Sequence, residues 1–281
     1  MSLLGASRTT VAQEAIAGPG TTLAPGLGPR ASGTGRKRLL GAVVPVLLLV
    51  IWQASSTLGW VSANLLPSPL SVLAAGTELV ERGELGKHIG ISTQRVLIGF
   101  AIGAALGLAT GALVGLSRLA DALLGPSIGA FRAVPSLAWV PLLILWLKIG
   151  EDSKITLIAI GAFFPVFTTV YLALRHVDRN LVEAARAFGL SGLRLLITVQ
   201  LPAVVPAIFS GLRLALAQAW LFLVAAELIA SSMGLGFLLT DSQNNGRTDR
   251  LLLAIVLLAV IGKLTDALLG LLESKAVARW A

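Results

Sequence analysis

A chain of 281 residues that is 56% hydrophobic and only 13% charged is too apolar for a soluble domain, which would carry roughly 25% charged residues. With no cysteine and two well-separated histidines, His88 and His176, it has no disulfide framework, no thiolate metal site and no His-based metal motif. The formal charge of +8 is spread along loops between apolar segments, a positive-inside pattern rather than a nucleic-acid footprint.

In chain order, residues 1–35 are rich in Gly, Ala, Ser, Thr and Pro without a hydrophobic period, which predicts a disordered cytoplasmic tail over residues 1–38. Arg36-Lys37-Arg38 then anchors a first apolar segment. A cleaved signal peptide is the rival reading and a transit peptide a weaker one; the long leader and the flanking topology favour an uncleaved span. Six segments approach the ~20 residues that a bilayer core needs: 39–55, 95–117, 124–147, 155–174, 204–228 and 251–272. The third is interrupted by Pro126, Pro135 and Pro141. The reading is an all-α polytopic membrane protein with about six transmembrane helices, occupying residues 39–275 and followed by a short cytoplasmic tail at 276–281. Most of the 22 Lys and Arg residues fall on inner segments only if both termini are cytoplasmic, so that orientation is expected.

The first outer loop, 56–94, contains a Pro67-Ser68-Pro69 turn and an amphipathic surface helix from Ser71 to Arg82, with Trp52 and Trp60 at the interface. The second span carries Gly99, Gly103, Gly107, Gly111 and Gly115, one every four residues. A step of four turns the helix about 400°, so the stripe drifts only ~40° per step. Such a small-residue face lets another backbone approach closely, within the chain or across a dimer seam.

The loop 175–202 holds a short helix. Asp178 or Asn180 caps its start, and with Asn180 as the cap Glu183 falls at the third helical position. Leu181, Ala184, Ala185 and Phe188 recur at spacings of three and four and make one apolar face. Gly189 stands where a left-handed residue ends a helix, and Leu190 follows. A helix of about ten residues is unstable alone in water and needs a surface to lie on. Pro202 and Pro206 open the fifth span.

Charge at bilayer depth costs at least about 2.5 kcal/mol, so each such residue is a candidate for the pathway or for gating. Lys263 and Asp266, three apart, pair with each other or serve transport. Arg213 and Gln218 face neighbouring helices or the pathway; Arg213 suits an anion by its forked donors or snorkels to the inner interface. Glu227, near the outer end of the fifth span, reads as a helix-orienting or gating residue.

Glu183-Ala184-Ala185, three residues, Gly189, nine residues, Val199, one residue and Leu201-Pro202 resembles the EAA loop of permease subunits of ABC importers. Leu66-Pro67-Ser68-Pro69, Arg132-Ala133-Val134-Pro135-Ser136-Leu137-Ala138, Pro141-Leu142, Trp146 and Phe164-Pro165 are similar to the branch serving aliphatic sulfonates, taurine and nitrate. So are Asp178-Arg179, Leu190-Ser191-Gly192 and Ala225-Ala226-Glu227 with Gly234-Leu235-Gly236. Aliphatic sulfonate is the best fit, and taurine, nitrate, bicarbonate and pyrimidine precursors remain open. The resemblance covers about residues 40–275 and implies a type I ABC importer transmembrane fold with its core at about 88–272. It implies a permease in the plasma (inner) membrane, with Glu183, Ala184, Ala185, Phe188, Gly189 and Leu190 coupling it to a separate ATPase. It further implies a homodimer with two ATPase copies, an extracytoplasmic solute-binding protein, a lipid surround and no nucleic acid. No cofactor and no catalytic or metal residue is expected: the Gly86-Lys87 and Gly262-Lys263 pairs are followed by His and Leu, so no nucleotide-binding P-loop is present. An ion-coupled secondary transporter is the rival, but no convincing inverted repeat is visible. An intramembrane enzyme lacks a nucleophile–base pair.

Overall fold

The computed structural model describes residues 34–278, with side chains described from Val43 onward apart from Ala230. Residues 1–33, most of the expected tail, lie outside the described residues, as do 279–281. Among the described residues all regular structure is helical: α1 (Thr34–Thr57), α2 (Pro69–Glu81), α3 (Leu85–Leu116), α4 (Arg118–Ala133), a 3-10 turn (Ser136–Trp139) and α5 (Val140–Leu147) come first. They are followed by α6 (Glu151–Arg175), α7 (Arg179–Ala187), α8 (Gly192–Leu195), a π-helical turn (Leu196–Gln200), α9 (Leu201–Ala230), α10 (Leu235–Asn244) and α11 (Thr248–Ala278). The chain divides into two units: the first ends at Leu48 within α1, and the second begins at Leu49 and holds every helix from α2 onward.

Four helical segments are long and apolar enough to cross a membrane: α3, α6, α8 through α9, and α11. α4 and α5 make a fifth if their pair counts as one broken span. The apolar part of α1 among the described residues, Val43–Thr57, is shorter than the ~20 residues of a full crossing. The helices extend past the apolar stretches that mark them, because backbone hydrogen bonding does not stop where hydropathy falls. Thus α3 starts at Leu85 rather than near 95.

The third expected span, 124–147, is not one helix. α4 and the segment after it bend by 86°. Of the three prolines, only Pro135 breaks the chain. It forces Val134 into an extended conformation (φ −74°, ψ 125°), as the residue before proline must be. Pro126 sits inside α4 and Pro141 in the first turn of α5, where a missing N–H costs little.

The fifth span also departs from expectation. Pro202 and Pro206 do not open a new helix; Gly192–Ile229 is one continuous apolar element of 38 residues. The π turn accommodates Pro202, with Leu201 N–H bonding to Leu196 O, so the missing proline donor leaves no break.

At the core, α6 packs between α3 and α9. The glycine stripe of α3 lies against α6: a Cβ on Gly107 would stand 2.8 Å from Phe163 O, on Gly111 2.9 Å from Phe167 O, and on Gly99 2.6 Å from the Ile158 Cβ. Gly103 meets Ala159 O and Gly115 the Leu174 side chain. The stripe is thus a backbone contact within the chain. Gly99 near the start of α6 and Gly115 near its end make the two helices parallel, with His88 and His176 at opposite ends. Val96, Leu157, Ile158, Leu223 and Ala226 fill one end of this bundle, and Val166, Val170, Val204 and Ala215 the other. In lipid such close packing replaces the hydrophobic effect as the force between helices.

The predicted surface helix is α2, capped by Ser68 Oγ accepting from Ser71 N (3.1 Å). Its Val72 and Leu79 pack on Leu238, Leu253 and Ala254. Glu78 is clamped by Arg247 (2.9 Å) and Arg250 (2.8 Å). The Arg247 hydrogen bond, above all, holds its carboxyl below the usual glutamate range.

Candidate functional site

The loop between α6 and α9 holds a nine-residue helix, α7. Asp178, not Asn180, is its N-cap: the Asp178 carboxylate accepts from Asn180 N at 2.9 Å. Glu183 therefore falls at the fifth helical position and no capping box forms. At the other end Gly189 N donates to Arg186 O (2.9 Å) and Leu190 N to Ala185 O (3.1 Å), the two bonds of a Schellman motif. Gly189 takes the left-handed conformation that this motif requires, with φ +80°.

The apolar face expected on this helix has no cover among the described residues beyond one position. Ala185 is buried, whereas Leu181 and Ala184 are exposed and Phe188 is 87% exposed. Glu183 and Gly189 are exposed and Leu190 half-buried. Phe188, at the C-cap of this nine-residue helix, thus stands clear of the rest of the described chain.

From Gly192 the continuous helix runs to the far end of the bundle. At 1.5 Å per residue it is about 57 Å long. Its last turns carry Glu227, which is 1% exposed. Its carboxylate accepts from Ser92 Oγ (2.8 and 2.9 Å), Arg95 Nη1 (2.6 Å) and Gly236 N (2.7 Å). Gly236 N is one of the unpaired donors at the start of α10, so Glu227 serves as its cap from another helix. Arg95 also grips Glu151 at the start of α6 with two bonds of 2.6 and 2.5 Å, and donates to Met233 O (2.7 Å). Gly234 N donates to His88 Nδ1 (3.0 Å) and Leu235 N to Ser92 Oγ (2.8 Å). Gly234, at φ +121°, passes so close to the Glu227 carboxylate that a Cβ there has no room. One buried carboxylate thus ties α3, α9 and α10 together, and through Arg95 also α6.

The sequence marked Glu227 as an orienting or gating residue but missed Ser92, Arg95 and Glu151. The signal available was an arginine and a glutamate at the ends of separate spans, followed by Gly234-x-Gly236. The remaining polar candidates form a second set. Arg213 holds Asp266 with two bonds of 2.8 and 2.9 Å and reaches Glu273 at 3.4 Å. Lys263 Nζ lies 3.1 Å from the same Asp266 carboxylate. Gln218 is half-buried. Among the described residues no group of three or more His, Asp or Glu is placed to hold a metal.

Apolar helices long enough to cross a membrane, with a short exposed helix between two of them, define a polytopic membrane protein. The chain belongs to the family of binding-protein-dependent transport system inner membrane components, matched over residues 101–277. It is 43% identical to a Bacillus subtilis (strain 168) protein named as an aliphatic sulfonates transport permease, SsuC, over 86% of this chain and 88% of that one. An Escherichia coli (strain K12) SsuC is 45% identical over 82% and 88%. The taurine transport system permease protein TauC of E. coli (strain K12) is 35% identical over 82% and 85%. Among solved structures, an inward-facing form of the MetNI methionine ABC transporter superposes with a TM-score of 0.59 at 19% identity, covering 70% of this chain and 96% of that one. That likeness is one of fold: the type I importer permease. The chain is therefore an inner-membrane permease subunit of an ABC importer. Membership of this family implies a separate ATPase and a solute-binding protein as partners.

Proposed function

We propose that two copies of this chain form the path by which an aliphatic sulfonate enters the cell. An ATPase subunit sits on each α7, and an extracytoplasmic binding protein delivers solute at the Glu227 end. Both termini are cytoplasmic in this arrangement, in keeping with the basic residues around α7. The observation that carries the reading is α7 itself, a helix too short to stand alone whose Phe188 is uncovered. The substrate follows the higher identity to the two chains named for sulfonates than to the one named for taurine. Closure of the ATPase pair pushes the two α7 helices together. The Schellman turn at Gly189 passes that push to the continuous helix, whose far end carries Glu227. This is coupling through a rigid element with two arrangements.

Gly189→Val tests the coupling. A Cβ at Gly189 meets nothing within 4 Å, so the substitution acts only on the backbone, straining a left-handed residue by about 1–2 kcal/mol. Sulfonate uptake in cells is expected to fall by roughly tenfold or more, the scale of a coupling free energy. Gly189→Asn, which tolerates this conformation, is expected to keep most uptake. Normal uptake by Gly189→Val at a normal membrane level contradicts the reading.

A further inference from the structure

The cations along the membrane helices differ in what already holds them. Arg213, Arg95 and Arg175 each grip a carboxylate, Asp266 at 2.8 Å, Glu227 at 2.6 Å and Asp121 at 2.6 Å. Arg132, in the last turn of α4, has no carboxylate within ion-pair distance among the described residues. Its one hydrogen bond there is from Nη1 to Thr168 Oγ1 of α6, at 3.2 Å. A guanidinium has five N–H donors, so four are left without a protein partner among the described residues. Arg132 is exposed and Thr168 half-buried, so those donors are open to a ligand.

Arg132 and Thr168 line a groove of about 450 Å³ between α4 and α6. Asp121 also lines it, but its charge is matched by Arg175. Ile128 borders both this groove and a cleft of about 520 Å³. That cleft is walled by Phe131, Trp139, Trp146, Phe163 and Phe164, and Thr156 is the one polar side chain in its lining. The cleft exists because of the break at Pro135. α5 turns 86° away from α4, so Phe131 on one arm and Trp146 on the other overhang α6, with Trp139 stacked on Phe131 at 5.9 Å. Both spaces fall in the roughly 300–1,000 Å³ range of small-molecule sites. Side by side they present an aromatic trough ending in an uncommitted guanidinium and a hydroxyl.

We infer that this composite groove holds the transported molecule by both its ends: an aliphatic sulfonate, with its headgroup on Arg132 and Thr168 and its chain in the aromatic cleft. The inference rests on the proposed sulfonate substrate. A sulfonate is permanently charged and offers three acceptor oxygens, matching a forked donor and a hydroxyl. The aromatic cleft makes the permease itself select for the alkyl chain, a role additional to that of the binding protein. An anionic lipid shares the chemistry of an acidic head on an apolar tail, so the test must separate the two.

The full chain, co-purified with its ATPase in phosphatidylcholine nanodiscs, is titrated with methane-, butane- and hexanesulfonate, using empty nanodiscs as the blank. Affinity is expected to rise on the order of threefold per added methylene. Arg132→Gln is expected to weaken hexanesulfonate at least tenfold, with partial rescue in Arg132→Lys. Phe163→Ala is expected to flatten the chain-length ladder and leave methanesulfonate unchanged. Retained ATPase co-purification shows that the variants are folded. Wild-type hexanesulfonate affinity in Arg132→Gln, or an unchanged ladder in Phe163→Ala, overturns the assignment, and so does displacement of hexanesulfonate by phosphatidylglycerol in the wild type. Uptake separates the two levels. If the wild-type complex carries no sulfonate, the substrate reading itself fails. If the variants carry sulfonates with wild-type rate and chain-length preference, only the groove fails.

Discussion

Glu227→Ala is expected to destabilise the chain by about 3–5 kcal/mol, the cost of removing one partner of a buried ion pair. The carboxylate is 1% exposed and carries more than charge. Without it Ser92 Oγ and Gly236 N lose their acceptor, and Arg95 keeps one carboxylate, that of Glu151, whose side chain is largely exposed. The start of α10 loses its cap from α9, and the turn before it is left with only its bonds to His88, Ser92 and Arg95 of α3. A drop on the order of 10 °C in the thermal midpoint of the solubilised chain would follow. Glu227→Gln, which keeps one carbonyl acceptor, is expected to fall between it and the wild type. The double variant Arg95→Leu with Glu227→Leu is expected to be less damaged than Glu227→Ala, because no charge is left buried alone. A Glu227→Ala chain that melts with the wild type would show that the cluster holds nothing together.

Gly103→Val is the second large effect. A side chain at Gly103 would collide with the Ala159 carbonyl and stand 2.9 Å from the Ala162 Cβ. Neither neighbour is a flexible side-chain tip, so α3 and α6 must separate along the whole stripe, with a cost of about 3 kcal/mol. Lower membrane abundance and a lower thermal midpoint are the readouts. Gly129→Ala, in α4, where a Cβ meets nothing within 4 Å, is the control. It is expected to be neutral or to stabilise by up to about 1 kcal/mol through helix propensity. If the two variants behave alike, close backbone packing does not hold α3 to α6.

Legibility in the sequence divides along a physical line, between local patterns and partnerships across the fold. Local patterns were legible. Five glycines in a four-residue period announced a close helix contact, and Gly189 announced the end of α7, because each depends on residues a few positions apart. The break in the third span was legible as a proline-rich stretch. Which proline breaks it was not, since Pro126 lies inside α4 without ending it and Pro141 sits in the first turn of α5, where a helix tolerates it. The continuous helix through Pro202 was hidden for a related reason: a π turn absorbs the missing donor, and no residue pattern marks one. Partnerships across the fold were least legible. Glu227 stood out as a charge at membrane depth, yet Arg95 lies 132 positions away. Arg213 is held by Asp266, 53 positions on, a partner that no local pattern announces. Arg132 drew notice only within a motif, because its distinction is the lack of a carboxylate partner among the described residues.

The central claim is that α7 is the seat of a separate ATPase. Site-directed photo-crosslinking in native membranes tests it most directly, with benzoylphenylalanine in place of Phe188 and, as a control, in place of Leu70 on α2. An adduct between position 188 and a P-loop ATPase subunit is expected, and none with that subunit from position 70. Adducts to lipid alone from position 188, or an ATPase adduct from position 70 instead, would contradict it.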